Sequence, residues 1–139
     1  MAKTLRLDIV TPERIVYSDD GISMVIARAV DGETGILPGH APLITALAIA
    51  PLRVKKNDAE LQFAIGSGFM DVKDNVVTIL VNVAELPEEI DVQRAEAAKS
   101  RAEERLQRHV PDIDQERAEA ALRRALVRLK VAGQASIKE

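Results

Sequence analysis

VVTILVNVAELPEEIDVQRAEAAKSRAEERL, residues 76–106, holds the transition on which the fold turns. Up to Val83, apolar and β-branched residues run as a short strand does. From Asp91 onward the apolar positions fall at Ala95, Ala98, Ala102 and Leu106, three or four apart, which is one face of a helix. Pro87 stands between the two periods. Every glycine but Gly133 and every proline but Pro111 lies at or before it, so the turns belong to the first half. The pattern predicts a mainly β protein with an α appendage. Residues 1–86 are expected to form an antiparallel β-sandwich, and residues 87–139 an antiparallel two-helix hairpin.

Upstream of the transition, Leu5, Leu7 and Ile9 alternate with Arg6 and Asp8, as in a half-buried strand. Further strands are expected at residues 14–17, 22–30, 43–48, 52–56, 61–65, 69–72 and 76–83. Lys73-Asp74-Asn75 reads as a hairpin connection, since Asp and Asn tolerate positive φ. Many short strands separated by turns, with no helices between them, argue for a sandwich or barrel and against a parallel α/β sheet.

Downstream, Asp91 is a good N-cap for a helix over residues 92–108. His109-Val110-Pro111 breaks it. Asp112 with Gln115 resembles a capping box opening a second helix, expected to reach about residue 131 with Gly133 as its stop. Its stripe is Ala118, Ala121, Leu122, Ala125, Leu126 and Leu129. So short a break makes the helices antiparallel. The first stripe is mostly alanine, and an alanine methyl contributes only about 0.8 kcal/mol on burial against roughly 1.5–3 for leucine. A hairpin packed this way is marginal enough to let go of what it folds against. Periodicity alone fits a static hairpin equally well.

Composition removes several classes of function. With 47% apolar and 29% charged residues, the chain has the balance of a folded domain rather than a disordered one. It has no cysteine, which excludes disulfides, zinc–thiolate sites and thiol nucleophiles, and its two histidines, His40 and His109, make a multi-histidine metal centre unexpected. The N-terminus shows no apolar signal-like core, and the longest apolar run, residues 44–50, is interrupted by Thr45. Direct membrane insertion is therefore not expected. A net charge of −3 and only three aromatic residues, Tyr17, Phe63 and Phe69, give no footing for nucleic acid.

The segment DGETGILPGHAPL, residues 31–43, carries glycines at 32, 35 and 39, but G-x-x-x-x-G-K-[ST] occurs nowhere in the chain. Gly35, Pro38 and Gly39 read as a tight edge turn rather than a phosphate cradle. His40 reads as a turn residue with a local hydrogen bond. Together with LDIVTPERIVY (residues 7–17), SGF (67–69), VVTIL (76–80) and IDVQRA (90–95), this segment resembles the epsilon-subunit family of bacterial F-type ATP synthases over essentially the whole chain. Residues 31–43 match the family's G-E-x-G-I-L-P-G-H-x-P-L pattern, and residues 90–95 its I-D-x-x-R-A motif.

What the resemblance implies is a non-catalytic rotor subunit with no required cofactor, peripheral on the cytoplasmic face of the membrane. Its sandwich would dock on the gamma subunit and the c-ring. Glu33 would touch the c-ring and His40 would lie near gamma. The hairpin would either fold on the sandwich or extend toward the alpha/beta catalytic hexamer and inhibit ATP hydrolysis. The resemblance also makes ATP a regulatory ligand, held by Glu85, Ile90, Asp91, Arg94, Ala95 and Arg101 with Arg124 and Arg128 of the second helix. Guanidiniums bind phosphates bidentately, and a carboxylate accepts from an adenine amino group. Structurally, Asp91 needs no ligand, since a cap explains it. Two rival classes are a ligand-binding or enzymatic β-barrel and a free-standing adaptor. The first wants clustered His and carboxylate ligands that the sequence does not supply; the second would not co-purify with a gamma-type coiled coil.

Overall fold

Leu5, Leu7 and Ile9 are fully buried while Arg6 points outward, and the same alternation builds the rest of the N-terminal half. The computed structural model describes residues 3–108 and 112–137, with side chains described for all of these but 112, 113 and 134–137. The strands are β1 (Leu5–Val10), β2 (Ile15–Ile22), β3 (Met24–Ala29), β4 (Gly32–Ile36), β5 (Leu43–Leu47), β6 (Ala50–Lys56), β7 (Ala59–Ile65), β8 (Gly68–Lys73), β9 (Val76–Val81) and β10 (Ala84–Glu85). They join in the order β10-β7-β6-β3-β5-β8-β9-β1-β2, with β4 added to β3. This long sheet folds over a single core in which Phe63, Leu52, Val54, Met70 and Ile79 are sealed from solvent. Tyr17 closes the core edge-on to Phe63, ring centroids 5.1 Å apart.

The Tyr17 hydroxyl donates to Asp19 Oδ2 at 3.1 Å, and Lys56 Nζ meets the same carboxylate at 2.5 Å. This pins β2 to β6 across the open side of the sheet. Burial, with the adjoining Asp19 carboxylate, pushes the Tyr17 phenol up to about 12. Lys56 and the Gly21 N–H hold Asp19 below the usual carboxylate range.

Several expectations change here. Pairing is antiparallel throughout except that β1 runs parallel to β9, its register running from Arg6↔Val76 to Val10↔Leu80. These strands lie some 70 positions apart in the chain, so no hairpin constrains their direction. The strand expected over residues 22–30 is two, because the chain passes from β2 to β3 at Ser23, whose N–H donates to Lys55 O. The segment read as an edge turn contains β4, antiparallel to β3 from Val25↔Ile36 to Ala29↔Gly32. Gly35 is thus a strand residue. The actual turn is 37–40, where Gly39 takes φ +85° and His40 N–H donates to Leu37 O at 3.2 Å. The β8–β9 hairpin is as expected, with Asp74 and Asn75 at φ 52° and 62°.

A 3₁₀ turn at Pro87–Glu89 leads into α1 (Val92–Gln107), whose Arg94 N–H donates to Asp91 Oδ1 at 3.1 Å. Helix α2 spans Asp112–Ile137. It therefore runs through Gly133 instead of stopping there. A mid-helix glycine costs only about 1 kcal/mol relative to alanine, and no proline follows to enforce a stop. The break at His109-Val110-Pro111 and the Asp112 side chain lie outside what is described. The alanine stripes behave as expected: Ala95 and Ala102 on α1 and Ala118 and Ala125 on α2 are buried as the helices pack together. Leu126 does not, being 44% exposed. A second face of α2, Val127 and Val131, packs instead with Ala64 and Ile90 in a small separate core that seats the hairpin on the sandwich.

Candidate functional site

Where β10, the 3₁₀ linker and the two helices meet, a cleft of about 410 Å³ opens. Each element places its residues by simple spacing. Arg94 and Arg101 lie two turns apart on one face of α1, and Arg124 and Arg128 one turn apart on α2. Glu85 enters from the short β10, which pairs with β7 through Glu85↔Ala64. Ala95, Ala98 and Ala121 form a floor that small side chains keep open.

The electrostatics favour an anion. Arg128 Nε donates to Glu85 Oε1 at 2.5 Å, with both side chains about three-tenths exposed. Arg94, Arg101 and Arg124 make no ion pair among the described residues. The other two carboxylates on the wall are already engaged. Asp91 caps α1, and Glu89 accepts from the Leu86 N–H at 2.9 Å and from Arg14 at 2.8 Å. The Leu86 N–H and then Arg14 hold the Glu89 carboxyl below its usual range. Uncompensated positive charge therefore faces the cleft.

Of the sequence-derived candidates, Glu85, Asp91, Arg94, Ala95, Arg101, Arg124 and Arg128 line this one cleft. Ile90 does not; it is buried beneath, in the small core with Val127 and Val131. Glu33 lies on β4 opposite Arg28, and His40 lies in the 37–40 turn with Nδ1 2.7 Å from Ala41 O. Neither is near the cleft. Sequence reasoning missed Glu89. Its spacing of three from Leu86 was a usable capping signal, but its link to Arg14, 75 positions away, was not.

An apolar patch was also missed. Phe69 is 57% exposed and pairs in register with Leu80 and Ala46 on the outer face of β5, β8 and β9, where Ile44 is also exposed. A contiguous apolar group on an open sheet face is the mark of an interaction surface. Among the described residues no cluster of His, Asp and Glu could hold a metal ion, and no helix is long and apolar enough to cross a membrane.

Residues 4–87 match the beta-sandwich domain of the ATP synthase delta/epsilon chain, and residues 88–133 its long alpha-helix domain. The chain is 57% identical over 132 residues to the ATP synthase epsilon chain of Pelotomaculum thermopropionicum, covering 95% of this chain and 98% of that one. It is 53% identical over 129 residues to the epsilon chain of Brevibacillus brevis, covering 92% and 97%. Among solved structures, a chain in the Euglena gracilis mitochondrial ATP synthase (OSCP/F1/c-ring) has a TM-score of 0.80 at 24% identity, covering 99% of this chain and 83% of that one. A chain of the Tetrahymena thermophila mitochondrial central stalk and c-ring has a TM-score of 0.61 at 18% identity, covering 97% and 98%. At those identities the structural likeness speaks to the fold.

Proposed function

The chain belongs to the ATP synthase delta/epsilon family as an epsilon chain, a non-catalytic central-stalk subunit, and from that premise we propose that its hairpin is an ATP-sensing brake on hydrolysis. The observation that carries this reading is the convergence of four arginines and three carboxylates, from β10, the 3₁₀ linker, α1 and α2, on one cleft of the folded hairpin. Arg94, Arg101, Arg124 and Arg128 hold the phosphates, while Glu85 or Asp91 accepts from the adenine amino group. The cleft needs both helices seated, so ATP binds the folded form and not the extended one. That differential affinity is what lets a ligand shift a two-state equilibrium. The Val127–Val131 core that seats the hairpin is small, at roughly 1.5–3 kcal/mol per buried valine, which leaves the equilibrium within reach of a ligand.

Residues 1–86 form the docking unit and residues 87–139 the regulatory one. The Phe69–Leu80–Ile44 patch fits the gamma subunit, and the 37–40 turn with His40, together with Glu33, faces gamma and the c-ring. This arrangement keeps the chain peripheral on the cytoplasmic face of the membrane. When extended, α2 with Arg123, Arg124, Arg128 and Lys130 meets acidic surfaces of the alpha/beta hexamer, an attraction that weakens with salt. Deleting residues 111–139 is expected to raise ATP hydrolysis by the assembled enzyme and leave assembly intact. Unchanged hydrolysis at every nucleotide concentration would remove the brake from the account.

A further inference from the structure

Asn75 reaches out of its own hairpin to a second turn. With Asp74 it forms the two-residue β8–β9 connection, at φ 52° and 62°, and its backbone carbonyl accepts from the Arg6 N–H at 2.9 Å. Its side-chain Oδ1 accepts from the Gly39 N–H at 2.7 Å, 36 positions away. Among the described residues this is the one side-chain hydrogen bond that residues 37–40 receive from elsewhere in the chain.

The 37–40 turn has the marks of type II. Pro38 occupies the second position, Gly39 takes φ +85° at the third, and the His40 N–H closes the turn on Leu37 O. That form leaves the Gly39 N–H without a partner inside the turn, and Asn75 supplies one. A flip of the Pro38–Gly39 peptide to type I would carry this N–H away from Asn75. The turn displays Leu37, which is 54% exposed, and the His40 ring. Ala41 O can only accept, so His40 Nδ1, 2.7 Å from it, carries the hydrogen and Nε2 is the acceptor of the neutral ring.

We propose that Asn75 is a positioning residue for docking: it presets the 37–40 turn, so that Leu37 and His40 meet their partner already ordered. The inference rests on the reading that this turn faces gamma and the c-ring. A surface ordered before contact loses less conformational freedom on binding, so the gain appears in affinity. Asn75 acts through Gly39 and not by touching the partner.

The test turns on two variants of Asn75. Asn75→Gly keeps the positive φ of the hairpin and removes the acceptor, whereas Asn75→Asp keeps both. Amide exchange of the isolated full-length chain reads the turn, and titration onto gamma–c-ring assemblies lacking this subunit reads docking. In Asn75→Gly, Gly39 exchange should speed up by about 3- to 10-fold and docking should weaken by a similar factor, with the unfolding midpoint held. Asn75→Asp should stay near the wild type in both. Leu37→Ser, which leaves the Asn75 bond in place, should weaken docking without changing Gly39 exchange. The inference is overturned if Asn75→Gly docks as tightly as the wild type while Leu37→Ser does not, or if Gly39 exchanges as fast in Asn75→Asp as in Asn75→Gly. Wild-type docking by both Asn75→Gly and Leu37→Ser would remove the turn from docking altogether, and the inference with the reading it rests on.

Discussion

Arg128→Ala is expected to weaken ATP binding by the isolated chain by about 10- to 100-fold. The size follows from the two things Arg128 does. As proposed, it contributes a charge-assisted, bidentate contact to the phosphates. It also neutralises Glu85 through the 2.5 Å contact to Oε1. Without it, a carboxylate on the cleft wall faces the phosphates unopposed. The helix itself should tolerate the change, since alanine is at least as good a helix former as arginine. Arg94→Ala removes a more exposed guanidinium with no carboxylate partner, so its effect should fall at the lower end of the same range. Calorimetry on the wild type and both variants reads the affinities. Equal affinity in all three would exclude the cleft as the binding site.

Gly68→Ala should cost about 3 kcal/mol, at the upper end for forced overpacking. A Cβ at this position would lie 2.0 Å from the Leu80 carbonyl oxygen and 2.7 Å from Val81 Cα. Both are backbone atoms of β9, which is held between β8 and β1. The strand cannot retreat without disturbing the parallel β1 pair, so the strain has no cheap release. Gly133 is the internal control. A Cβ there meets nothing within 4 Å, so Gly133→Ala should hold stability level or raise it by up to about 1 kcal/mol. Urea or thermal unfolding of the two variants measures the contrast. Comparable stability for both would mean that β8 and β9 are not as closely apposed as described.

The features legible in the sequence were those that leave a local imprint. Alternation at Leu5, Leu7 and Ile9, the Asp74-Asn75 turn, the Asp91 cap and the alanine stripe of α1 each depend on neighbours within a few positions, and each is found. The parallel β1–β9 pair depends on residues some 70 positions apart and leaves no such imprint. Strand β4 was hidden by its glycines, which read as turn although Glu33, Thr34 and Gly35 pair with β3. On α2 the Ala–Leu stripe satisfied the helical period, and the second apolar face at Val127 and Val131 went unread. For the same reason Leu126 was placed inside when it is outside. The one-turn spacing of Arg124 and Arg128 was legible from helix geometry, whereas Glu85, Arg94 and Arg101 were pointed to by the family resemblance. The Phe69–Leu80 patch was not, because alternation along β8 does not say which face lies open until Met70 and Val72 are seen buried.

The most direct test of ATP sensing is the position of the hairpin itself. The chain contains no cysteine, so Ala59→Cys on β7 and Arg123→Cys on α2, both exposed, can carry a spin-label pair without background. Pulsed distance measurement on the isolated protein should show the short β7–α2 distance gaining population as ATP is added. Its midpoint should match the calorimetric affinity, and the gain should be lost in Arg128→Ala. A distance distribution unchanged up to millimolar ATP, or one that moves toward longer separations, would contradict the account.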